Sequence, residues 1–393
     1  MTRDGADVEP DDGFVLMDNT TIFGARRAYG ADSAPPSVVD LRSLMDVLEA
    51  VVLIEGFTVD NSSRDTHVDW PELYRISRAN GHFFRETSLV ADGGELHADL
   101  LGNSAAHVLG LVRSGRLLRD LGFIADSDDI RVLPPLYRDS AQFVELTLRG
   151  VDRAHEETVA RELNDLARVL DGNGEVVRGL AHFAFRGFYY QGLAHAAGVP
   201  YMPHTWRSKL IENRLRPRSV RFRDLVMDRV GLIRGGMRDR VNGELGGAAI
   251  SADFPLIASY VVGQCDSRAA LLATAVEVRR SAGATALRKW IHGIEDKLRN
   301  QEDLVAIRAA QEELSTLVHE TERELGLSRA EKQQVTLTLG VPMFSAETTT
   351  ALPARSRRPR LMRPRRPHLV FLRELARESA RLAPFDVAFR RLG

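Results

Sequence analysis

Residues 38–60 have the sequence VVDLRSLMDVLEAVVLIEGFTVD, and this stretch predicts a helix followed by a strand. It begins after Pro35 and Pro36, and proline is common just before or at the start of a helix. Strand-forming residues increase toward its end, so we expect the helix to give way to a strand near Glu55. Before Glu55, apolar residues recur at helical spacing: Leu41, Leu44, Met45, Leu48 and Val52.

The sequence on either side of this stretch predicts further strand and loop. FVLM at 14–17 and TTIF at 20–23 are typical of short strands, and the turn-forming pair Asp18-Asn19 lies between them. VDNSSRDTHVDW at 59–70 is typical of a polar loop. The N-terminal part of the chain therefore predicts a small α/β structure.

From Trp70 onward the pattern is mostly helical. QQVTLTLGV at 333–341 is the exception, since its alternation predicts a strand. Residues 284–325 form either one helix or a hairpin broken near Asn300-Gln301, and their partial heptad pattern makes them a candidate surface for homo-oligomer formation. Helices are predicted in the ranges 104–121, 136–170, 175–197, 219–242, 266–281 and 284–325.

These patterns predict a mainly α-helical fold with a small α/β N-terminal portion and a helical-bundle-like body. A Pro/Arg-rich linker and a C-terminal amphipathic helix follow this body. We divide the chain into an N-terminal region at 1–130 with an acidic tail at 1–13, a helical domain at 131–350, the linker at 351–368 and a C-terminal docking helix at 369–393.

The composition is that of an ordinary globular protein. The chain has 393 residues, of which 44% are hydrophobic and 27% charged. Its acidic beginning is unlike a secretory or mitochondrial leader, and no apolar run approaches the roughly 20 residues of a spanning helix. The single cysteine, Cys265, excludes an intrachain disulfide. We therefore expect a cytoplasmic protein that does not interact with membranes.

Charge is distributed unevenly along the chain. The first 18 residues have a net charge of −5, residues 205–240 have a net charge of +7, and residues 355–366 contain seven arginines and no acid. Of the 53 basic residues 49 are arginine, as codon usage in a GC-rich genome would produce, so only the clustering is informative. Such charge blocks bind opposite charge, either in a partner or in the same chain. In the second case the acidic N-terminal tail would fold onto the arginine-rich segment at 355–366.

The two arginine clusters are candidate anion- or nucleic-acid-binding segments. The first cluster includes the predicted helix at 219–242, which has one apolar face and arginines projecting beside it. These arginines either contact phosphates or pair with nearby aspartates. The candidate residues are Arg214, Arg216, Arg218, Arg221, Arg223, Arg234 and Arg238 in this segment, and Arg357, Arg358, Arg360, Arg363, Arg365 and Arg366 in the second.

A second candidate site lies in residues 182–209, where aromatic, histidine and arginine side chains are concentrated. The candidate residues are His182, Arg186, Tyr189, His204 and Arg207. A helical wheel places His182 on a polar face one turn from arginines on either side, which favours a neutral imidazole. The same wheel places His195 on the apolar face, in the core.

Motifs of known chemistry are absent from the sequence. There is no zincin motif, Walker A loop, GxSxG or GxGxxG, and we expect no metal site and no cofactor. We therefore favour a non-catalytic binding protein whose arginine-rich surfaces engage an acidic partner, either nucleic acid or an acidic protein. The alternative is an enzyme acting on a phosphate-bearing or other anionic substrate, with His182 or His204 as the acid–base group.

Overall fold

The computed structural model describes most of the N-terminal 211 residues and three later segments. The predicted fold class is confirmed, since the described residues are mainly helical and a small parallel sheet takes three of its four strands from the first 90 residues. The described residues are 14–30, 36–61, 68–89, 94–125, 140–149, 151–211, 256–265, 267–299, 309, 312, 316 and 367–381.

The strands are β1 (Phe14–Met17), β2 (Gly56–Asp60), β3 (Phe84–Thr87) and β4 (Tyr201–Met202). The helices are α1 (Asn19–Tyr29), α2 (Val38–Leu53), α3 (Pro71–Ala79), α4 (Glu95–Arg113), α5 (Arg116–Ala125), α6 (Ser140–Leu148), α7 (Arg153–Asp171), α8 (Glu175–Ala196), α9 (Thr205–Ile211), α10 (Leu256–Gln264), α11 (Leu271–Arg280), α12 (Ala282–Arg299) and α13 (Pro367–Arg381).

All strand pairs in the sheet are parallel, and the strand order is β3-β2-β1-β4. Strand β1 is therefore central, and it pairs Val15 with Phe57 of β2 and Leu16 with Tyr201 of β4. Side chains of successive strand residues point to opposite faces. Val15 and Met17 join one hydrophobic cluster and Leu16 joins another, so the sheet is covered on both faces.

The two faces of the sheet are covered by different helices. Helices α1, α2, α3 and α10 to α13 contribute to the cluster that contains Val15 and Met17. Helices α4 to α8 contribute to the cluster that contains Leu16, and α9 packs against it through Trp206 and Leu210. The described chain thus has a helix–sheet–helix arrangement, which places the carboxyl ends of the strands at one edge between two helical layers.

The prediction of a strand at 20–23 is wrong, because α1 begins at Asn19, directly after β1. Asp18 is the N-cap of this helix, and its Oδ1 accepts a hydrogen bond from the Thr20 amide at 2.9 Å. The pair Asp18-Asn19 therefore starts a helix where a turn was predicted. Gly24 allows α1 to approach α2 closely, since a Cβ at this position would lie 2.7 Å from Oγ of Ser43.

The predicted change from helix to strand near Glu55 is confirmed. Helix α2 ends at Leu53 and β2 begins at Gly56. Strands β3 and β4 were not predicted, because β3 (FRET) has a single apolar residue, unlike β1, and β4 has only two residues. The predicted helix at 104–121 is two helices, and Gly115, with φ +67°, forms the turn between α4 and α5.

Helix α13 packs against α10 and α12. Its residues Phe371, Leu372 and Leu375 are buried in the same cluster as Val15 and Met17 of the sheet. Helix α12 covers the first part of 284–325, whereas the predicted helix at 219–242, the strand at 333–341 and most of the linker lie outside the described residues. The predicted domain boundaries stay predictions.

Two buried arginines connect the later helices to α2. Nη1 of Arg279 donates to the carbonyls of Val51 and Ile54 at 2.7 and 2.6 Å, and its Nη2 donates to the carbonyl of Glu55 at 2.6 Å. Arg288 donates to the carbonyl of Val52 at 2.8 Å. The last carbonyls of a helix lack partners within it, so these side chains cap the C-terminus of α2.

Among the described residues, no helix combines the length and the hydrophobicity needed to cross a membrane.

Candidate functional site

The most polar buried region near the sheet lies at the carboxyl ends of β1 and β4. The chain crosses from β1 to β2 and β3 on one side and reaches β4 on the other, so the direction of winding reverses between β1 and β4. In open parallel sheets this point is where ligands bind most often. Asp18 follows β1 directly, and His204 and Arg207 follow β4.

Asp18 is the centre of this region. Its side chain is fully buried, and both of its oxygens lie 2.6 Å from Nη1 of Arg207. The hydroxyl of Tyr201 donates to Oδ2 at 2.7 Å, and the amide of His204 donates to the same oxygen at 3.3 Å. Together with the amide of Thr20, these donors occupy both oxygens of the carboxylate.

Arg207 is held by more than the aspartate. Its Nε donates to the carbonyl of Phe183 at 2.8 Å, and its guanidinium lies 4.2 Å from the centre of the Phe183 ring. Gly187 leaves room for this side chain, since a Cβ there would lie 2.9 Å from Cδ of Arg207. Buried ionic pairs of this kind are held by hydrogen bonds and packing as well as by charge.

The pair stays ionised at neutral pH. Burial raises the pKa of the Asp18 carboxyl, but the charge of Arg207 and the hydrogen bonds from Arg207 and Tyr201 outweigh this effect and keep the pKa below its ordinary value. Burial likewise lowers the pKa of Arg207, and the charge of Asp18 more than offsets it. The aspartate and the arginine therefore neutralise each other.

His204 is a neutral, buried imidazole. Burial lowers its pKa to about 4, against the opposing charge of Asp18. The amide of Trp206 donates to Nδ1 at 3.4 Å, which leaves the proton on Nε2, 3.4 Å from Oγ of Ser43. Thr205, the first residue of α9, donates from its hydroxyl to Asp46 at 3.0 Å. Both residues attach α9 to α2.

The structure separates the other predicted residues of 182–209 from this region. His182 was predicted on an exposed face, but it is 6% exposed and lies against Phe143, with ring centres 4.4 Å apart. Its pKa is lowered to about 4, which agrees with the predicted neutral imidazole. Burial is the largest cause of this shift, and the charges of Arg186 and Arg178 contribute less. Helix α8 is buried on nearly all sides of its central turns, which a two-faced helical wheel does not represent.

Tyr189 and His195 also differ from the helical-wheel prediction. Tyr189 was placed on the polar face, but it is 1% exposed and its hydroxyl lies 3.0 Å from Nδ1 of His97. His195 was placed in the core, but it is exposed near the end of α8. Arg186 is half-buried on the same helix. Of the five candidate residues, only His204 and Arg207 therefore lie in one cluster.

Sequence reasoning missed the role of Asp18, although a signal was present. An aspartate that directly follows a short apolar strand lies at the carboxyl edge of a parallel sheet. Asn19 lies at the same edge and donates from Nδ2 to the carbonyl of Asp60, at the end of β2, at 2.7 Å. Among the described residues no hydrogen-bond partner is found for Oδ1 of Asn19 or Oγ1 of Thr21, and both residues are buried.

Within the described part of the chain, no group of three or more His, Cys, Asp or Glu side chains could hold a metal ion. The contacts of the sheet-edge cluster are hydrogen bonds and the Asp18–Arg207 ion pair. Arg207 and Asp18 satisfy each other, so an anion would have to displace Asp18 to bind Arg207.

The arginine-rich candidate segments lie outside the described residues: Arg214, Arg216, Arg218, Arg221, Arg223, Arg234 and Arg238, and Arg357, Arg358, Arg360, Arg363, Arg365 and Arg366. The described structure gives the helices that flank them. The first segment follows α9 and precedes α10, and the second precedes α13.

Searches against protein-family models, curated proteins and solved structures find no match to this chain.

Proposed function

We propose that the protein binds nucleic acid through its two arginine-rich segments, 214–238 and 357–366. The observation that carries this proposal is that both segments adjoin helices fixed in the core. The candidate catalytic residues His204 and Arg207, in contrast, are buried and take part in internal contacts. Nucleic acid carries a regularly repeated negative charge that suits clustered positive charge, so it is the partner we favour over an acidic protein.

The first arginine-rich segment starts at a fixed point. Arg214 is three residues beyond Ile211, the last residue of α9. The buried pair of Asp18 and Arg207 attaches this helix to the sheet. The pair thus contributes to function by fixing the position from which the arginines extend, which explains why a charged pair in the core is compatible with a binding protein.

The second arginine-rich segment directly precedes α13, which packs against α10. The rings of Tyr260 in α10 and Phe371 in α13 are 5.8 Å apart, and each residue is the fifth of its helix. At 1.5 Å per residue, each helix begins about 6 Å from this contact. Leu256 and Pro367, the first residues of α10 and α13, are thus each four residues from this contact.

The charges of the two segments support binding of a polyanion. Residues 205–240 have a net charge of +7, and Arg207 is the member of that set whose charge Asp18 neutralises. Residues 355–366 add seven arginines without an acid. Positive charge concentrated in this way attracts a polyanion over several ångströms and makes its binding dependent on salt.

The test is the affinity of the 393-residue chain for labelled single- and double-stranded DNA and RNA, measured by fluorescence anisotropy. The arginines are tested by charge reversal and the chain keeps its full length, because Phe371, Leu372 and Leu375 of α13 are buried in the core. We expect Arg216→Glu with Arg218→Glu, and separately Arg363→Glu with Arg365→Glu, to weaken binding about tenfold or more each. Absence of nucleic-acid binding by the unmodified chain would reject the proposal. If the chain then bound an acidic protein, that protein would be the partner instead.

The alternative function, an enzyme acting on an anionic substrate, has one observation in its favour. His204 and Arg207 lie with Asp18 at the carboxyl edge of the sheet, where ligands of parallel sheets bind. Such an enzyme would need its substrate to open the Asp18–Arg207 pair. Binding of inorganic phosphate or a nucleotide that is lost in Arg207→Lys, with the fold retained, would support the alternative.

A further inference from the structure

Helices α4 and α5 meet in an exposed corner that contains three arginines. Arg113 ends α4, Arg116 begins α5, and Arg119 lies one turn further along α5. Gly115 makes the turn between them with φ +67°, and the hydroxyl of Ser114 donates to the carbonyl of Gly110 at 2.7 Å, which completes the end of α4. We call Arg113, Arg116 and Arg119 the basic corner.

The basic corner has an excess of positive charge. Asp120 lies 3.5 Å from Nη2 of Arg116 and 3.0 Å from Nε of Arg119, so one carboxylate serves two guanidinium groups. No ion pair joins Arg113 to any residue that the structure describes. The side chains of Arg116 and Arg119 are 38% and 68% exposed, and Arg113 is exposed as well. Two positive charges therefore remain for a partner.

The position of the basic corner relates it to the first arginine-rich segment. Helix α5 packs against α9 and α8, and its buried residues Leu117 and Leu121 belong to the cluster on which Trp206 and Leu210 of α9 pack. Helix α5 is about 15 Å long at 1.5 Å per residue, and Arg214 follows the end of α9 by three residues. The basic corner thus begins a helix that contacts α9, the helix that precedes the segment in sequence.

The first amides of α5 add to the positive potential at this corner, because a helix N-terminus favours anions. Leu118 is 48% exposed between the arginines and offers an apolar contact beside them. Exposed guanidinium groups around an apolar residue suit a sugar–phosphate backbone, whose charges repeat at short intervals.

We infer that the basic corner is a contact surface for the phosphate backbone of a nucleic acid. This inference rests on the proposed function, and it assigns to the partner a second contact on the folded body. The corner contributes affinity without base specificity, since phosphate contacts position a nucleic acid and do not read its sequence.

The experiment compares two charge-matched double variants of the 393-residue chain. Arg113→Glu with Arg119→Glu changes the basic corner, and Arg161→Glu with Arg168→Glu changes two arginines of α7 that are 74% and 79% exposed. Binding of a labelled duplex DNA and a labelled single-stranded RNA is measured across a salt series. Circular dichroism shows whether each variant is folded. If a double variant does not fold, the same arginines are replaced by glutamine instead of glutamate.

We expect the corner variant to bind at least tenfold more weakly than the unmodified chain, with a salt dependence reduced by about two phosphate contacts. The α7 variant should bind within about twofold of the unmodified chain. If both variants lose affinity equally, or neither does, the basic corner is not a contact surface and the proposed function still stands. If the unmodified chain binds neither nucleic acid, both proposals are rejected.

Discussion

Replacing Arg207 by methionine removes the guanidinium from Asp18 and leaves a carboxylate that is 0% exposed without its counterion. The cost has an upper limit, because the carboxyl can take up a proton. Protonating an aspartic acid of ordinary pKa at pH 7 costs about 4 kcal/mol, and at pH 5 it costs about 1.5 kcal/mol. We therefore expect Arg207→Met to lower the free energy of unfolding by about 3–4 kcal/mol at pH 7 and by less than half of that at pH 5.

The measurement is urea unfolding of the unmodified and variant chains at both pH values, followed by far-ultraviolet circular dichroism. The double variant Asp18→Asn with Arg207→Met serves as a control. It removes both charges and keeps an oxygen that can accept from the amide of Thr20, so it should be more stable than Arg207→Met alone. A loss below about 1 kcal/mol at pH 7, an equal loss at pH 5, or additive losses in the double variant would refute the reasoning.

Three further predictions concern stability. The pKa values of His182 and His204 are lowered to about 4, so their contribution to stability is complete above about pH 6.5 and is lost as the pH falls toward 4. His182→Asn should remove about half of this pH dependence of the free energy of unfolding, measured by urea unfolding. An unchanged pH profile would contradict this prediction. Arg279→Met leaves three carbonyls at the end of α2 without their donor and should lower the free energy of unfolding by about 3 kcal/mol. A decrease under about 1 kcal/mol would show that water takes the place of the guanidinium as the donor. Gly24→Ala should lower the thermal midpoint because its Cβ meets α2, whereas Gly102→Ala, with open space around it, should raise the midpoint; equal shifts would contradict the close packing.

Local patterns predicted the elements of the N-terminal fold where the pattern was long enough. The 16 residues of α2 showed helical periodicity, and the change to β-branched residues marked β2. The TTIF segment failed because threonine and isoleucine favour strands, whereas the cap at Asp18 and packing on α2 stabilise a helix. Tertiary contacts therefore outweighed intrinsic preference in α1.

Of the candidate residues, His204 and Arg207 lie together, whereas His182 and Tyr189 lie elsewhere. The partner of Arg207 is Asp18, which is 189 residues away in sequence, and no local pattern relates two such positions. Only the sheet order, with β4 beside β1, brings them together. The same reason explains why arginines 279 and 288 were not recognised as the C-terminal caps of α2.

The measurement that tests the central proposal most directly is the salt dependence of nucleic-acid binding by the unmodified 393-residue chain. If the arginine-rich segments and the basic corner contact phosphates together, six or more contacts should form. The logarithm of the association constant for duplex DNA should then fall with the logarithm of salt concentration with a slope of about −5 or steeper. A slope near zero, or no detectable binding at about 50 mM salt, would contradict the proposal that these arginines bind a nucleic-acid backbone.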